Sequence, residues 1–240
     1  MIYNTLDAIK HLVWPTRCAS CDSLLGAPSQ KLCLPCVESL VPASPTAKAE
    51  CLDKIFSFFA YEGAAQSTIA KWKYHADMAA QKAILDCVES RIGLLTSLIM
   101  PNACILPVPP HPKRLRERGF DPVWTFAKRL QQLLASESIE LDFRDDVLIR
   151  TRHTKPQASL DHEQRLSNLD KAFEIQADVA PHVILVDDVL TTGSTATACA
   201  MVLRQAGAEH IVLITLACSL SAESETKDSD NPSAAGHEHP

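Results

Sequence analysis

Two adjacent acids precede a run of hydroxyl side chains in the last quarter of this chain. Asp187 and Asp188 directly follow the apolar run Val183–Val186, which has the pattern of a parallel strand covered on both faces. Open α/β sheets hold ligands at the carboxyl ends of their strands, and two carboxylates there can accept hydrogen bonds from the 2′ and 3′ hydroxyls of a ribose. We therefore take Asp187 and Asp188 as candidate catalytic residues. The alternative is a tight turn of an ordinary α/β protein.

The residues after the acids have the composition of a phosphate-binding turn. Hydroxyl groups and backbone N–H groups around Gly193, at the expected start of a helix, would bind a 5′-phosphate. The predicted helix carries Cys199 and Leu203 on an apolar stripe and stops at Gly207, before a second apolar run from Ile211 to Ala217. The unit resembles the signature with which type I phosphoribosyltransferases bind phosphoribosyl diphosphate (PRPP). The predicted PRPP-binding residues are Asp187, Asp188, Val189, Leu190, Thr191, Thr192, Gly193, Ser194 and Thr195.

Four cysteines in two C-x-x-C pairs predict a metal site near the amino terminus. The pairs are separated by eleven residues, and each turn lets two thiolates approach one ion. Two such turns supply four soft ligands and leave no open position for water, which indicates a structural zinc. The alternatives are two disulfides or four free thiols; the odd total of nine cysteines and the absence of a signal-like start disfavour an oxidised framework. The predicted zinc ligands are Cys18, Cys21, Cys33 and Cys36.

A basic segment follows a short predicted strand at Ile105. Its cations come after a stiff proline run, and guanidinium groups match phosphate oxygens in pairs, so we interpret the segment as a loop that clamps a diphosphate. The alternative is the solvated start of a charged helix. The predicted diphosphate-loop residues are Lys113, Arg114, Arg116 and Arg118.

The polar stretch Arg150–Asn168 has no sustained strand or helical pattern before Asp161. We interpret it as a mobile lid that excludes water from a reactive ribosyl centre, with a long surface connection as the alternative. The lid residues predicted to reach a ligand are Gln157, Arg165 and Asn168.

Taken together, the motifs of residues 18–217 resemble the ComF family, which includes the GntX-type proteins. The resemblance implies a type I phosphoribosyltransferase-like α/β fold, a parallel sheet flanked by helices, with a small amino-terminal four-cysteine zinc module. It also implies PRPP binding with Mg²⁺ and a cytoplasmic role in taking up or using DNA. The segments that carry it are the cysteine pairs, Phe59–Tyr61 with Ile69–Asp77, Pro107–Pro109 with Arg114–Phe120, Pro156–Gln157 with Arg165 and Asn168, and Val186–Gly193.

One departure from the family pattern lies in the basic segment. The family has Asn-Gln after Arg-Gly-Phe, whereas this chain has Asp121 and Pro122. If the amide normally donates to a phosphate, the carboxylate would repel it and weaken diphosphate affinity.

The segment Lys71–His75 alternates basic and aromatic residues. Such a pattern can stack the bases of single-stranded DNA and neutralise its phosphates. At helical spacing, however, Ile69, Trp72 and Ala76 share one face, which favours an amphipathic helix with a buried tryptophan.

Length and charge limit the classes of function. We expect residues 1–50 to form an amino-terminal helix and zinc-ribbon-like module, 51–220 the phosphoribosyltransferase-like domain, and 221–240 a disordered acidic tail. The formal net charge is −6, of which the tail carries −4 and the remaining body −2, so a globally basic nucleic-acid binder is not indicated. No run has the roughly 18 apolar residues of a membrane span, and we expect a cytoplasmic protein.

Three functions fit these residues. The favoured one is a PRPP-binding protein of DNA uptake (competence) or DNA use as nutrient, with PRPP, single-stranded DNA and DNA-uptake proteins as expected partners. The second is an active phosphoribosyltransferase whose acceptor base or amine the residues do not identify. The third is a non-enzymatic, zinc-containing protein that binds single-stranded DNA on an inherited scaffold.

Overall fold

A computed structural model describes residues 15–43, 51–151 and 172–219 of the chain. Five strands form one sheet in the order β1-β7-β6-β2-β3, and every neighbouring pair is parallel. The two remaining strands pair antiparallel with each other. The strands are β1 Lys54–Ala60, β2 Cys104–Pro107, β3 Asp142–Phe143, β4 Leu148–Arg150, β5 Phe173–Ile175, β6 His182–Leu190 and β7 His210–Cys218.

Helices cover both faces of this sheet. Side-chain caps begin two of the longer helices: Asp77 accepts from the Ala79 and Ala80 N–H groups, and Asp121 accepts from the Val123 N–H group. In the three described ranges, no helix has the length and the apolar composition needed to cross a membrane. The helices are α1 Leu34–Glu38, α2 Gly63–His75, α3 Met78–Glu89, a 3₁₀ helix Ile92–Leu98, α4 Pro112–Arg118, α5 Pro122–Ser136 and α6 Ser194–Gln205.

The strand that carries the acids is longer than its apolar run predicts. Strand β6 continues through Asp187 and Asp188 to Leu190, because its pairing with β7 extends to Cys218. Its pairing with β2 ends earlier, at Pro107 opposite Val186. The acidic end of β6 therefore keeps a parallel neighbour on the β7 side only. The second predicted strand, Ile211–Ala217, is confirmed and is one residue longer at each end.

Strands β2 and β6 are neighbours in the centre of the sheet, and the connections that follow them run to opposite sides of the sheet. After β2 the chain passes through α4 and α5 to β3, at one edge. After β6 it passes through α6 to β7, on the opposite side. The two connections diverge and leave a crevice at the carboxyl ends of β2 and β6, the position at which open α/β sheets bind ligands. The predicted α/β fold, a parallel sheet flanked by helices, is thus confirmed.

Alternating residues of β6 divide the core into two apolar layers. Ile184 and Val186 pack in the layer that contains Trp72 of α2, and Leu185 packs in the layer that contains Cys199 of α6. Trp72 is fully buried, which confirms the amphipathic-helix interpretation of the Lys71–His75 segment. The placement of Ala76 on the buried face is wrong, because α2 ends at His75 and Ala76 is an exposed, left-handed cap with φ 52°.

Candidate functional site

The two acids of β6 leave the strand on opposite faces, as consecutive strand residues do. The Asp188 side chain points to the face that α2 covers, where its Oδ2 lies 2.7 Å from Nζ of Lys73. The exposed fractions of these two side chains are 15% and 10%, so the pair is largely shielded from water. Asp187 faces the α6 side and lines a depression there together with the turn that follows β6. The two carboxylates therefore have different environments although they are adjacent in sequence.

Lys73 is a site residue that sequence reasoning did not find. The sequence assigned its segment either to DNA contact or to a helix with a buried tryptophan, and neither interpretation pairs the lysine with an acid. The available signal was local: Lys73 is adjacent to Trp72, and a lysine beside a buried helix face needs a counterion when water is excluded. Which acid supplies it depends on the packing of α2 against β6.

Asp187 is the electrostatically perturbed member of the pair. Burial raises the pKa of Asp187 to about 7, and the nearby charge of Asp188 acts in the same direction. The Asp188 N–H group donates to Asp187 Oδ1 at 2.8 Å, and the cations Lys73 and Arg150 act to lower the pKa. Near neutral pH this carboxyl group can therefore either donate or accept a proton.

The turn after β6 lines a depression that is open to solvent. Gly193 has φ 76°, a left-handed conformation that glycine adopts without strain, and it caps α6 where no side chain does so. The Thr192 and Ser194 hydroxyls lie 3.0 Å apart at the rim. Because the first N–H groups of a helix have no intrahelical partner, this turn presents donors suited to an anion. The lining residues are Asp187, Val189, Leu190, Thr191, Thr192, Gly193, Ser194, Thr195 and Ala196.

The basic segment is a helix, so its interpretation as a loop is wrong. Residues 112–118 form α4, which begins with a proline and ends at Gly119 with φ 75°. Lys113 lies 3.7 Å from Glu117 on the exposed surface of this helix. The Arg118 guanidinium stacks on the ring of Tyr74, 5.0 Å from its centroid. Among the described residues, neither Arg114 nor Arg116 has an ion-pair partner.

A further arginine, at the end of β4, lies beside the acidic strand end. Arg150 packs over the Phe173 ring, with 5.1 Å between its guanidinium carbon and the ring centroid. Its Nε is buried and has no hydrogen-bond partner within the described ranges. Burial lowers the pKa of Arg150, as does the charge of Arg114, whereas Asp187 acts to raise it. Arg114 and Arg150 thus lie close enough to interact electrostatically, and Arg150 also interacts electrostatically with Asp187.

The Asp121 departure has a structural role. Its carboxylate accepts the Val123 N–H group at 2.9 Å and caps α5, with Pro122 at the first helical position. An asparagine oxygen can make the same hydrogen bond, so the exchange keeps the cap and adds a charge. Burial raises the pKa of Asp121, and the charge of Asp188 acts in the same direction. The predicted lid residues lie outside the described residues; they are Gln157, Arg165 and Asn168.

The four predicted zinc ligands converge. Their sulfur atoms all lie within 4.8 Å of one another, which fits a tetrahedral ion with Zn–S bonds of about 2.3 Å. Hydrogen bonding by the Ser23 side chain lowers the pKa of Cys21 to about 6, whereas burial raises the pKa of Cys36 to about 12. A coordinating cation would deprotonate the latter thiol. The cluster therefore has the donor set and the spacing of a structural zinc site.

Comparison with curated proteins gives relatives over part of the chain. The chain is 33% identical over 118 residues to Competence protein F of Haemophilus influenzae, which is 48% of this chain and 49% of that protein. It is 32% identical over 117 residues to DNA utilization protein YhgH of Escherichia coli K12, with the same coverage. The chain thus matches about half the length of these relatives. They confirm the resemblance to ComF-type proteins, whereas no protein-family model matches the chain.

Solved structures that resemble this chain include phosphoribosyltransferases. A hypoxanthine-guanine phosphoribosyltransferase from Bacillus anthracis has a TM-score of 0.36 and 12% identity, over 56% of this chain and 68% of that one. Adenine phosphoribosyltransferase from Leishmania donovani has a TM-score of 0.36 and 15% identity, over 62% and 56% of the two chains. The fold described above is established by the strand order of this chain itself.

Proposed function

We propose that this protein binds PRPP with Mg²⁺ at the crevice between β2 and β6 and acts in DNA uptake or in the use of DNA as a nutrient. The observation that carries the proposal is the placement of a hydroxyl-rich turn and a pair of acids at the carboxyl end of β6, where the chain changes direction. The role in DNA uptake or DNA use is supported by the relatives that match about half of the chain and are named for competence and DNA utilization. A cytoplasmic location belongs to the same proposal.

Each part of PRPP has a counterpart in the crevice. The turn around Gly193 and the first turn of α6 would bind the 5′-phosphate, and the Asp187 and Asp188 carboxylates would accept the ribose hydroxyls. Arg114 and Arg150 would bind the diphosphate, since neither has an acidic partner within hydrogen-bond distance among the described residues. Carboxylate and phosphate oxygens are the ligands that Mg²⁺ prefers, and Asp187 and Asp188 would hold the ion. Bound there, Mg²⁺ would neutralise charge on the diphosphate.

Catalysis is a second candidate function, and the environment of Tyr74 favours it. This residue follows Lys73 in α2, and 64% of its surface is exposed. Arg118 covers one side of its ring. An exposed aromatic ring with a guanidinium over it offers a stacking surface for an acceptor base. Attack by that base on the anomeric carbon would expel diphosphate, whose negative charge Arg114 and Arg150 would stabilise.

Single-stranded DNA binding without PRPP is the third candidate. The stacked pair of Tyr74 and Arg118 is also a suitable contact for an unpaired base. The body's formal charge of −2 opposes it, since phosphate-driven affinity needs clustered cations. If it is correct, affinity for an oligonucleotide will fall steeply with rising salt whether or not PRPP is present.

Calorimetric titration of PRPP, with and without Mg²⁺, tests the proposal. The wild type is compared with the double variant Asp187→Asn/Asp188→Asn and with Asp86→Asn, a control that removes an exposed acid from α3. Loss of two charge-assisted acceptors should weaken binding by roughly 3–6 kcal/mol, which is more than a hundredfold. We expect Mg²⁺-dependent binding by the wild type and the control only. Absence of wild-type binding would reject the PRPP site, and release of diphosphate with one particular base would favour the enzyme.

A further inference from the structure

The zinc-ligand cluster and the acidic crevice are joined by one helix. Two polar contacts connect the first cysteine turn to α2. Ser20, which lies between the ligands Cys18 and Cys21, places its Oγ 2.6 Å from Ser67 Oγ. Asp22, the residue after Cys21, accepts from Nζ of Lys71 at 2.7 Å. Both contacts come from backbone whose conformation the metal would fix.

The same helix reaches the crevice at its carboxyl end. Lys73 lies two residues beyond Lys71, and its Nζ contacts Asp188 Oδ2 at 2.7 Å. Between the two lysines, Trp72 is fully buried in the apolar layer that also contains Cys18, Ala19 and Leu25. The cysteine turn and the carboxyl end of α2 therefore share one packed unit, and a displacement of the turn is transmitted to Lys73 through the less than two turns of α2 that separate it from Ser67.

We propose that Lys73 is a positioning residue of the candidate site, and that the metal-loaded cysteine turn holds it against Asp188. The inference rests on the proposed function, since it states what prepares that site for a ribose phosphate. Asp188 has little access to water, so without the lysine its charge has no compensating partner and its orientation is not fixed. Metal occupancy of the cysteine cluster thereby sets the affinity of the crevice.

The ligand-binding test is a thermodynamic cycle. The cycle compares Lys73→Met, the double variant Ser20→Ala/Asp22→Asn, which keeps all four cysteines, and the variant that combines these three substitutions. Lys82→Met, which removes an exposed lysine from α3, is the control. We expect Lys73→Met to weaken Mg²⁺-PRPP binding about 30-fold or more, as truncation of one partner of a shielded pair does. The Ser20→Ala/Asp22→Asn change should weaken binding severalfold in the wild-type background and should have no further effect in the Lys73→Met background. The Lys82→Met control should bind as the wild type does.

A second measurement needs no ligand and separates this inference from the proposed function. Hydrogen exchange of residues 183–190 is followed by mass spectrometry in zinc-loaded and chelator-treated protein. Zinc removal should speed exchange at the end of β6 in the wild type and should add nothing in Lys73→Met. If wild-type protein binds no PRPP, the proposed function fails, and the exchange data still decide the role of Lys73.

Three results would overturn the inference. Wild-type affinity in Lys73→Met would show that the lysine does not position Asp188 for binding. Equal losses from Ser20→Ala/Asp22→Asn in both backgrounds would show that the cysteine turn acts independently of Lys73. Exchange at the end of β6 that is unchanged by zinc removal, or equally increased in the wild type and Lys73→Met, would disconnect the metal from the crevice.

Discussion

The environment of Asp187 predicts that removing its charge stabilises the protein at alkaline pH. Burial, with the nearby charge of Asp188, raises the pKa of Asp187 from the ordinary value of 3.8 to about 7 in the folded protein. Between pH 3.8 and pH 7 the folded state binds more protons than the unfolded state. The contribution of Asp187 to the free energy of unfolding therefore falls as pH rises through this range. At about 1.4 kcal/mol for each pKa unit, the full cost at pH 8 is on the order of 4 kcal/mol.

Asparagine stays neutral at every pH, and its side-chain oxygen can still accept the Asp188 N–H group. The Asp187→Asn variant should therefore exceed the wild type in free energy of unfolding by about 2 kcal/mol at pH 5 and about 4 kcal/mol at pH 8. Urea unfolding followed by circular dichroism at both pH values measures the difference. Both proteins carry the same zinc module, so its own pH dependence cancels in the comparison.

Asp188→Asn is the matched control, and its effect should have the opposite sign. It leaves Lys73 shielded from water without a counterion, which should lower the free energy of unfolding by about 3 kcal/mol. The reasoning would be refuted if Asp187→Asn were less stable than the wild type at pH 8, or if its advantage were the same at pH 5 and pH 8.

Three further predictions concern other parts of the chain. Replacement of Cys18 or Cys33 by serine should release zinc and loosen residues 15–43, because a module this small needs its metal to fold. Atomic absorption measures the bound zinc. Stoichiometric zinc retained in both variants would exclude Cys18 and Cys33 as zinc ligands. Asp121→Ala should lower the free energy of unfolding by about 1 kcal/mol, because the cap of α5 is lost. Asp121→Asn should keep the cap and bind PRPP more tightly, because a negative charge near Asp188 is removed. Weaker PRPP binding by Asp121→Asn would contradict this reasoning. Burial acts to raise the pKa of Asp53, but the hydrogen bonds that its carboxylate accepts hold the pKa below 3.8. The advantage of the wild type over Asp53→Asn in free energy of unfolding, measured with urea, should therefore be complete above about pH 5 and should be lost as pH falls through 3.8 and below. An advantage that does not depend on pH would argue against this prediction.

Patterns that depend on near neighbours along the chain were predictable from the sequence. The apolar run Val183–Val186 specified a buried strand, and Gly193 and Gly207 marked the two ends of a helix, because only local backbone preferences decide them. Cysteine spacing specified a four-sulfur cluster, since each C-x-x-C turn is a local structure. The loop interpretation of Lys113–Arg118 overlooked local signals, since Pro112 at the start and Gly119 at the end are typical of a short helix.

The sequence by itself thus determined the buried strands that begin at Val183 and Ile211, the helix between them, the acids at the end of the first strand, the hydroxyl-rich turn that follows and the cysteine cluster. Tertiary structure alone decided that Lys73 is the counterion of Asp188, that Asp187 faces the depression on the other side of β6, and that Asp188 is the acid whose charge acts on Asp121. These are relations between residues on elements far apart in sequence. Charges and burial act through space, so the pKa of an acid and the partner of a lysine depend on helix packing that local sequence patterns do not encode.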